Sequence, residues 1–459
     1  MRISRRNALA FGLAASAGAL GPAHATQVAA NSRDAIAALL AARIDAQHRG
    51  TGGLVSVVRE RDAWTVRHGT VSRESARRVS LDTPFQIASL TKIFTALLLR
   101  DAAMRGELSL DDPLASHLDA QVPSFEGRAI TLTDLATHTS GLGLRPASRV
   151  DRSQDNPYEG YSQADLRADI AATTLSRAPG AAFEYSNFAF ALLGAALSAR
   201  IGKPYAEILQ ERILTPLRMR ATSLEPSAAT RGRLIQGYDM EFAPAHLWEF
   251  GALAPAGGLF STARDMRRFL ALWTEPFDTP LARAAHDMFS IRRPGPDPQT
   301  QMALGWRVIE RGGRTLGWSN GSGGGVRAYM GVAPGAEGVL AYANMQTGIG
   351  VDDIGLRVLD PTNPVDVTPI PLRVAMVLPP AVLDRYVGSY AYAPDDTMTI
   401  LREGDGLVLV SGPNRLRLYA ESETAFFIRE DNVTVTFDAA ASSFVLAQAG
   451  QEYLYRSPP

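Results

Sequence analysis

The chain has 459 residues, of which 46% are hydrophobic, and its formal net charge at pH 7 is −1. This length predicts two or three domains with ample apolar core, and the balanced charge gives no reason to expect a nucleic acid or an anionic membrane as a partner. The absence of cysteine excludes disulfides and thiolate chemistry, and the seven histidines show no metal-binding spacing, so we expect neither a metal site nor a cofactor.

The first 25 residues have the features of an export signal. Arg5 and Arg6 follow Ser4, a weakly apolar run of alanine and glycine comes next, and the segment ends in Ala-His-Ala at Ala25. These features predict a signal peptide of the twin-arginine type, cleaved after Ala25, and an exported protein that is periplasmic or secreted. A membrane-anchoring helix is the alternative, but the apolar run is too short to span a bilayer.

Residues 26–365 are predicted to form one mixed domain. Ser32 can cap a helix that runs to about His48, and the stretch from about 100 to 270 is mostly helical. Strand-like runs flank that stretch at Leu54–Arg59, Trp64–Arg67, Met302–Glu310, Gly325–Val332 and Gly338–Ala343, and a helix follows near Val351–Leu359. Strands at both ends with helices between them predict a sheet subdomain, a helical subdomain and a cleft.

The last part of the chain differs in composition. Residues 366–380 are rich in proline and are predicted to be a linker. Beyond them, about eight short apolar runs alternate with turn signals, a pattern typical of a small antiparallel barrel over residues 381–459. We find no catalytic group of residues there, and the barrel is interpreted as a structural accessory.

Ser89 and Lys92 form the first candidate catalytic pair. Apolar spacing after Pro84 places Ser89 near a helix start, with Lys92 one turn further on the same face. Ser-x-x-Lys is a weak signal, because roughly one or two are expected by chance in such a chain. However, Lys92 and Lys203 are the only lysines among 46 lysine and arginine residues. Arginine cannot lose its proton in a protein, so Lys92 suggests an amine that must titrate, and the alternative is a solvated lysine.

Tyr185 and Asn187 form the second candidate pair, just before an apolar helix over 188–200. A tyrosine beside a cationic amine has its anionic form favoured and can accept the proton of a serine. The carboxamide of Asn187 can hold both the lysine and a substrate amide. Taken alone, Tyr-x-Asn is more often a packed aromatic residue followed by a helix cap.

The glycine-rich segment from Trp318 to Gly325 is the third candidate element, and we expect it to precede a strand. Its glycines allow a substrate to approach the backbone, where a strand N–H can provide half of an oxyanion hole. Gly317–Gly321 also matches the nucleophile elbow G-x-S-x-G. That alternative requires a following helix and a later histidine, and no histidine follows His286.

Taken together, and in their order along the chain, these three motifs resemble those of the penicillin-recognising serine hydrolases. This group comprises class C β-lactamases, D-Ala-D-Ala carboxypeptidases and esterases. Ser89 and Lys92 match the family's Ser-x-x-Lys, and Tyr185 and Asn187 match its Tyr-x-Asn. Supporting phrases that resemble the family are Leu135–Leu142, Gly257–Ala263 and Gly305-Trp306. The resemblance covers residues from about 30 to 360, and the C-terminal barrel resembles a lipocalin-like appendage.

The resemblance implies an α/β (α+β) β-lactamase-like fold, with an antiparallel sheet flanked by helices, a helical subdomain and a small all-β barrel at the C-terminus. It implies catalytic roles for Ser89, Lys92 and Tyr185. The substrate-binding residues that it implies are Asn187, Ser319, Asn320, Gly321 and Ser322.

One position departs from the family pattern. The third motif is Lys-Thr-Gly or His-x-Gly, and this chain has Ser319-Asn320-Gly321 at that place. The missing cation would attract a substrate carboxylate, so we expect short neutral esters to be hydrolysed better than penicillins or peptides ending in D-Ala-D-Ala. The competing hypothesis is that an arginine from elsewhere in the chain reaches the same pocket.

The sequence therefore predicts an exported serine hydrolase that forms an acyl-enzyme on Ser89. The backbone N–H groups of Ser89 and Ser322 would hold the oxyanion, and the substrate would be a small ester, a β-lactam or a D-amino-acid peptide. The alternative is a non-catalytic protein of the same fold that binds peptidoglycan or β-lactams. The sequence does not indicate an oligomeric state.

Overall fold

The computed structural model describes residues 30–48, 50–59, 62–150, 155–239, 242–276, 278–345, 350–371, 373–393, 396–412, 414–428, 432–448 and 451–457. The predicted signal peptide lies outside the described residues and stays a prediction. Within them, every helix is too short or too polar to cross a bilayer. The chain divides into two units, a larger one over residues 28–367 and a smaller one that contains residues 368–459.

The larger unit is built on an antiparallel sheet. Its eight strands follow the order β2-β1-β12-β11-β10-β9-β8-β7, so the first strands of the chain pair with the last strand of the unit. Two small antiparallel pairs, β3 with β6 and β4 with β5, lie outside this sheet. The strands are β1 (Gly52–Arg59), β2 (Trp64–Gly69), β3 (Pro84–Gln86), β4 (Ser124–Phe125), β5 (Arg128–Ala129), β6 (Phe260–Thr262), β7 (Arg293–Pro294), β8 (Gln301–Met302), β9 (Arg307–Arg311), β10 (Arg314–Gly323), β11 (Val326–Ala333) and β12 (Glu337–Ala343).

Helices cover both faces of the sheet, and most of them lie between β2 and β7 in the chain. Ser32 caps the first helix through its side chain, as predicted, and that helix continues as a π-helical turn over Ala42–Ala46. The α-helices are α1 (Arg33–Ala41), α2 (Thr91–Met104), α3 (Leu132–Ala136), α4 (Gln163–Ala172), α5 (Asn187–Ile201), α6 (Tyr205–Leu209), α7 (Ala228–Arg231), α8 (Ala254–Gly257), α9 (Ala263–Thr274), α10 (Pro280–Asp287) and α11 (Asp352–Leu359).

Each face of the central sheet packs against its own apolar core, because neighbouring residues of a strand point to opposite sides. On β1, Leu54 and Val58 belong to the core that contains α2 and α9. Val55 and Val57 belong to the second core, which contains α1 and α11. The continuous apolar run of β1 is therefore the pattern of a strand covered on both faces.

The helix α2 lies inside the larger core. Most of its residues are buried, and the ring of Phe94 stacks on Phe269 of α9 with 3.7 Å between the ring centroids. A helix that is buried on nearly all sides is held in place by packing rather than by its intrinsic propensity. Side chains in its first turn are therefore fixed relative to the sheet.

The smaller unit is a closed eight-stranded antiparallel barrel preceded by the short helix α12 (Pro380–Leu383). Its interior is filled by large side chains, among them Tyr386, Tyr390, Phe437 and Phe444, which contact one another edge to face or tilted. The strands are β13 (Gly388–Ala393), β14 (Asp396–Glu403), β15 (Gly406–Ser411), β16 (Asn414–Ala420), β17 (Ala425–Ile428), β18 (Val433–Phe437), β19 (Ser443–Gln448) and β20 (Gln451–Arg456).

These features confirm the predicted antiparallel sheet flanked by helices and the predicted C-terminal barrel. Two local details differ from the prediction. The strand expected over Met302–Glu310 is interrupted by a turn in which Gly305 has a φ of 73°. The glycine-rich segment expected to precede a strand is itself largely strand β10, because its backbone pairs with β11 from Gly317 to Gly323.

Because the two units have separate cores, we expect a chain that ends at Val367 to fold and to keep its chemical activity. Val367 is a better end point than Leu378, since Leu378 belongs to the barrel core. Thermal unfolding and the turnover of a small ester would be compared with those of the full chain. A well-folded truncated protein without turnover would show that residues beyond 367 are needed for catalysis.

Candidate active site

Ser89 lies in a short 3-10 helix of one turn, Ala88–Leu90, which connects β3 to α2. Ala88 has a φ of 45°, a region that residues with a Cβ seldom adopt, so the surroundings must hold the turn in place. Thr91 contributes to this, because its Oγ1 donates to the Ala88 carbonyl at 2.7 Å and accepts from Leu259 N–H at 3.2 Å. Ser89 itself is partly exposed, so a bound molecule can reach its Oγ.

Lys92 lies in the first turn of α2, and it is only 2% exposed. Its Nζ is 3.0 Å from Ser89 Oγ, 2.7 Å from Asn187 Oδ1 and 2.7 Å from the Ala256 carbonyl oxygen. None of these three partners is a carboxylate. Burial therefore holds the pKa of Lys92 well below its usual value, and the positive charge of Arg307 lowers this pKa further.

The contacts of Lys92 suit a neutral amine. Such an amine has two N–H groups to donate and one lone pair to accept. The Asn187 Oδ1 and the Ala256 carbonyl oxygen are acceptors only, so they take the two N–H groups. The orientation of the Asn187 amide agrees with this, since its Nδ2 donates to Tyr158 OH at 2.7 Å. The lone pair of Lys92 is then left facing the hydroxyl of Ser89.

Tyr185 OH is 2.7 Å from Ser89 Oγ. Burial raises the pKa of Tyr185, and the hydrogen bond to Ser89 and the charges of Arg307 and Arg327 act in the opposite direction. The motif alone led us to expect that a neighbouring cation would favour the phenolate, but burial is the larger effect. The phenol is therefore a proton donor toward Ser89 Oγ in the resting site.

His138 supports the ring of Tyr185. The two ring centroids are 4.4 Å apart, and His138 Nδ1 accepts a hydrogen bond from Ser186 N–H at 3.0 Å. Burial holds the pKa of His138 well below its usual value, and the charge of Arg307 lowers it further. A neutral His138 fixes the position of the phenol without adding a charge. Ser186 in turn caps α5 by accepting from Ala189 N–H at 2.9 Å.

Strand β10 passes directly beside the Ser89 turn. A Cβ on Gly321 would lie 2.3 Å from the Ile87 carbonyl oxygen and 3.1 Å from Ser89 N, so only glycine fits there. Ser319 is on the same side of the strand and is 7% exposed. Asn320 points to the opposite side, where its Nδ2 donates to Asp352 Oδ2 at 2.6 Å. The structure therefore brings Ser319 and Gly321 to the face of Ser89, and it turns the side chain of Asn320 away.

Ser322 follows directly after Gly321, so its backbone N–H adjoins this close approach. Its partner across the sheet is Arg327 on β11. The guanidinium of Arg327 is held by Asp352, with Nε 3.1 Å from Oδ1. Among the described residues, Asn187 Nδ2 donates to Tyr158 OH, and its second N–H remains for a bound molecule.

Arg307 is a residue of the site that sequence reasoning missed. It begins β9 and pairs with Trp318 of β10. Its guanidinium carbon is 4.8 Å from the ring centroid of Trp318 and 5.7 Å from the ring centroid of Tyr185. The only local signal was its position after Gly305-Trp306, a phrase already noted for its resemblance to the family.

Trp248 is a second residue that sequence reasoning missed. A Cβ on Gly323 would lie 3.2 Å from its indole, and Tyr158 contacts it edge to face at 6.0 Å. The Gln86 side chain holds the backbone of Trp248, donating from Nε2 to the carbonyl oxygen at 2.8 Å. The site thus has one wall that contains Arg307 and another formed by Trp248. The segment containing Trp248 carries no motif that could have indicated this.

Known proteins share both the sequence pattern and the fold of this chain. The family model described as Beta-lactamase matches residues 33–357. The chain is similar to the D-alanyl-D-alanine-carboxypeptidase/endopeptidase AmpH of Escherichia coli (strain K12), with 30% identity over 302 residues that cover 62% of this chain and 77% of that protein. It is also similar to Esterase EstB of Burkholderia gladioli, with 32% identity over 281 residues, 51% of this chain and 70% of that protein.

Solved structures show the same fold. A beta-lactamase/D-alanine carboxypeptidase from Yersinia pestis has a TM-score of 0.61 and 24% identity, covering 72% of this chain and 98% of that chain. An octameric penicillin-binding protein homologue from Pyrococcus abyssi has a TM-score of 0.62 and 21% identity, covering 92% of this chain and 98% of that chain. The predicted β-lactamase-like fold is confirmed.

Because a Cβ at position 321 would collide with the Ile87 carbonyl, we expect Gly321→Ala to displace the Ser89 turn. A displacement of about 1 Å at a reacting group can cost on the order of 10²-fold in rate. The rate at which a fluorophosphonate probe labels Ser89 measures this effect. The matched control is Gly232→Ala, where the added Cβ would have its nearest neighbour at 3.7 Å. Equal labelling rates in both variants would contradict the close approach.

Proposed function

Because the chain belongs to the beta-lactamase family, we propose that it is a serine hydrolase that forms an acyl-enzyme on Ser89 and hydrolyses small esters or amides. The observation that carries this proposal is the contact of one hydroxyl with two proton-transfer groups. Ser89 Oγ lies 3.0 Å from Lys92 Nζ and 2.7 Å from Tyr185 OH. A serine becomes a nucleophile when a base lies within hydrogen-bonding distance, and here burial lowers the pKa of the base.

In the acylation step, the lone pair of Lys92 accepts the proton of Ser89 while Oγ bonds to the substrate carbonyl carbon. The tetrahedral intermediate then collapses, and the bond to the leaving oxygen or nitrogen breaks. The leaving atom takes a proton from the Tyr185 phenol, and the Lys92 ammonium restores that proton. The raised pKa of Tyr185 and the lowered pKa of Lys92 suit these two roles, donor and acceptor.

The backbone supports the negative charge that develops on the carbonyl oxygen. We assign this role to the N–H groups of Ser89 and of Ser322, the residue that follows Gly321 where β10 passes the Ser89 turn. Donors fixed in advance by a strand and a turn stabilise an oxyanion without reorganisation, and removing one such donor typically costs about 10²- to 10³-fold in kcat.

Deacylation uses the same groups with water as the nucleophile. Water gives one proton to the base formed by Lys92 and Tyr185 and adds its oxygen to the acyl carbon. Ser89 Oγ then leaves and recovers a proton, which releases the acid. Asn187 holds the Lys92 amine through both steps by its 2.7 Å contact.

A second candidate is a non-catalytic protein that binds peptidoglycan or β-lactams. The neutral, buried Ser319 favours this candidate, because the related motif has a cation at that place. The two candidates differ in the fate of a label on Ser89. An enzyme would turn over an activated ester repeatedly, whereas a protein that only binds would release at most one equivalent of leaving group.

We expect reaction with an activated ester to place one acyl group on Ser89, detected by mass spectrometry of the peptide that contains it. The Ser89→Ala variant should form no adduct and lose turnover, because the nucleophile is removed. The control is Ser290→Ala, whose hydroxyl is exposed and bonds to Asp287. Undiminished hydrolysis by Ser89→Ala would rule out this proposal.

We expect Lys92→Ala and Tyr185→Phe each to lower kcat by about 10²- to 10⁴-fold, since both belong to one proton relay. The double variant should be little slower than the slower of the two single variants, because losses within a single relay are not additive. Steady-state kinetics of the three variants provide the measurement. Fully additive losses would show that Lys92 and Tyr185 serve separate steps.

A further inference from the structure

The C-terminal end of the short helix α8 lacks backbone partners for its last carbonyl groups. Such groups need other donors when they are buried. In a longer helix, the N–H groups of Leu259 and Phe260 would reach these carbonyls, but both donate to acceptors outside α8. The carbonyl oxygens of Pro255 and Ala256 are therefore left for side chains of neighbouring elements.

Two residues of α2 supply the missing donors. Lys92 Nζ is 2.7 Å from the Ala256 carbonyl oxygen. Thr95, one turn further along α2, donates from Oγ1 to the Pro255 carbonyl oxygen at 2.7 Å. On α5, a Cβ at Gly194 would lie 2.2 Å from Pro255 Cγ, so α5 also packs tightly against this residue. The Thr95 contact thus fixes the peptide group directly before the carbonyl that accepts from the base.

Tyr205, the first residue of α6, extends this hydrogen-bonded chain. Its OH is 2.7 Å from Thr95 Oγ1. The Thr95 hydroxyl has a single proton, and the Pro255 carbonyl can only accept, so Tyr205 must be the donor to Thr95. Both side chains are buried. The chain from Tyr205 through Thr95 to Pro255 therefore has one direction, and each of its bonds strengthens the next.

We propose that Thr95 and Tyr205 are positioning residues for the base, and that they keep the Ala256 carbonyl oxygen where Lys92 donates to it. This inference rests on the proposed function and adds what holds the base in place. The carbonyl matters most after Lys92 has taken the proton of Ser89. An ammonium has three N–H groups, each of which needs an acceptor, and its hydrogen bonds are stronger than those of a neutral amine.

Displacing the Ala256 carbonyl would weaken the base. An acceptor that bonds to the charged form of an amine favours that form, so its loss lowers the pKa of Lys92 further below the usual value. Hydrolysis requires the neutral amine and is lost as the pH falls through this pKa. The acid limb of the pH profile therefore moves to lower pH. A general loosening that admits water to Lys92 would move the limb in the opposite direction.

The other titratable groups that face Lys92 stay in place in this comparison. They are Tyr185, whose ring centroid is 4.9 Å from Lys92 Nζ, His138 and Arg307. The contacts from α5 and α8 are an amide and a carbonyl, which carry no charge. Burial raises the pKa of Tyr205, so this phenol is also uncharged. A change in the Lys92 pKa then reports the position of the carbonyl acceptor.

The experiment compares Thr95→Val, which removes the donor, with Thr95→Ser, which keeps the hydroxyl. In Thr95→Val, we expect kcat for an activated ester to fall on the order of 10-fold with KM nearly unchanged. The acid limb of kcat/KM should move down by about one pH unit. Thr95→Ser should restore both quantities. Tyr205→Phe should give a smaller change in the same direction, and little further change in the Thr95→Val background, because it acts through Thr95.

The matched control is Thr133→Val. Thr133 is also a buried threonine, and its Oγ1 donates to the Leu110 carbonyl oxygen at 2.9 Å. Its removal costs the fold a similar hydrogen bond without touching α8. The acid limb should therefore stay in place in Thr133→Val, even where thermal unfolding shows a loss of stability.

A direct titration of Lys92 provides a readout that does not depend on turnover. The lysines of the chain are Lys92 and Lys203, and Lys203 is exposed and paired with Glu211 at 2.6 Å. The Lys203→Arg background therefore leaves a single lysine, whose protonation is followed by the carbon-13 shift of Cε. The midpoint should fall by about one pH unit in Thr95→Val and return in Thr95→Ser.

A midpoint that stays or rises in a folded Thr95→Val variant would overturn the inference while Ser89 acylation still stood. If Thr95→Val does not fold, the midpoint in Tyr205→Phe, which loses only one oxygen atom, decides in the same way. A lowered midpoint in a protein whose parent shows no turnover would instead reject the proposed hydrolysis and support the positioning of Lys92 by Thr95 and Tyr205.

Discussion

The site depends on one constraint, the burial of the Lys92 amine without a carboxylate partner. Holding an ammonium ion in such a place costs several kcal/mol, so the neutral amine is favoured. Three separate elements contact it: the Ser89 turn, the first residue of α5 through Asn187, and α8 through the Ala256 carbonyl. All three must be placed accurately for the amine to keep its partners, and the buried helix α2 provides the common reference.

The same packing holds Ser89 in a conformation that the chain alone would not adopt. Ala88 has a positive φ, which costs on the order of 1–3 kcal/mol, and the neighbouring structure must compensate for it. Thr91 ties the turn to Leu259, and Gly321 lets β10 approach the Ile87 carbonyl. The nucleophile and the backbone beside it are therefore positioned by one contact between a turn and a strand.

The sequence was sufficient to predict what is local. The spacing of Ser89 and Lys92 and the scarcity of lysine predicted their contact, and alternation of short strands predicted the barrel. Non-local features could not be predicted. The side toward which Asn320 points follows from the alternation of side chains along a strand, and this can be used only once β10 is known to be a strand. The contact of Arg307 with Tyr185 depends on the register between β9 and β10. The direction of the Tyr185 pKa depends on burial, which motifs do not report.

Lysine and arginine have distinct tasks in this site, and the difference is chemical. A base must be able to lose its proton, and only lysine can do so, which explains why Lys92 remains in a chain that otherwise uses arginine almost throughout. A fixed positive wall must keep its charge at every pH, and arginine does so even when it is partly buried against aromatic rings. Because Arg307 also lowers the pKa of Lys92, the fixed charge helps to keep the base neutral. A cation contributed by β9 therefore helps to hold the amine in its reactive form.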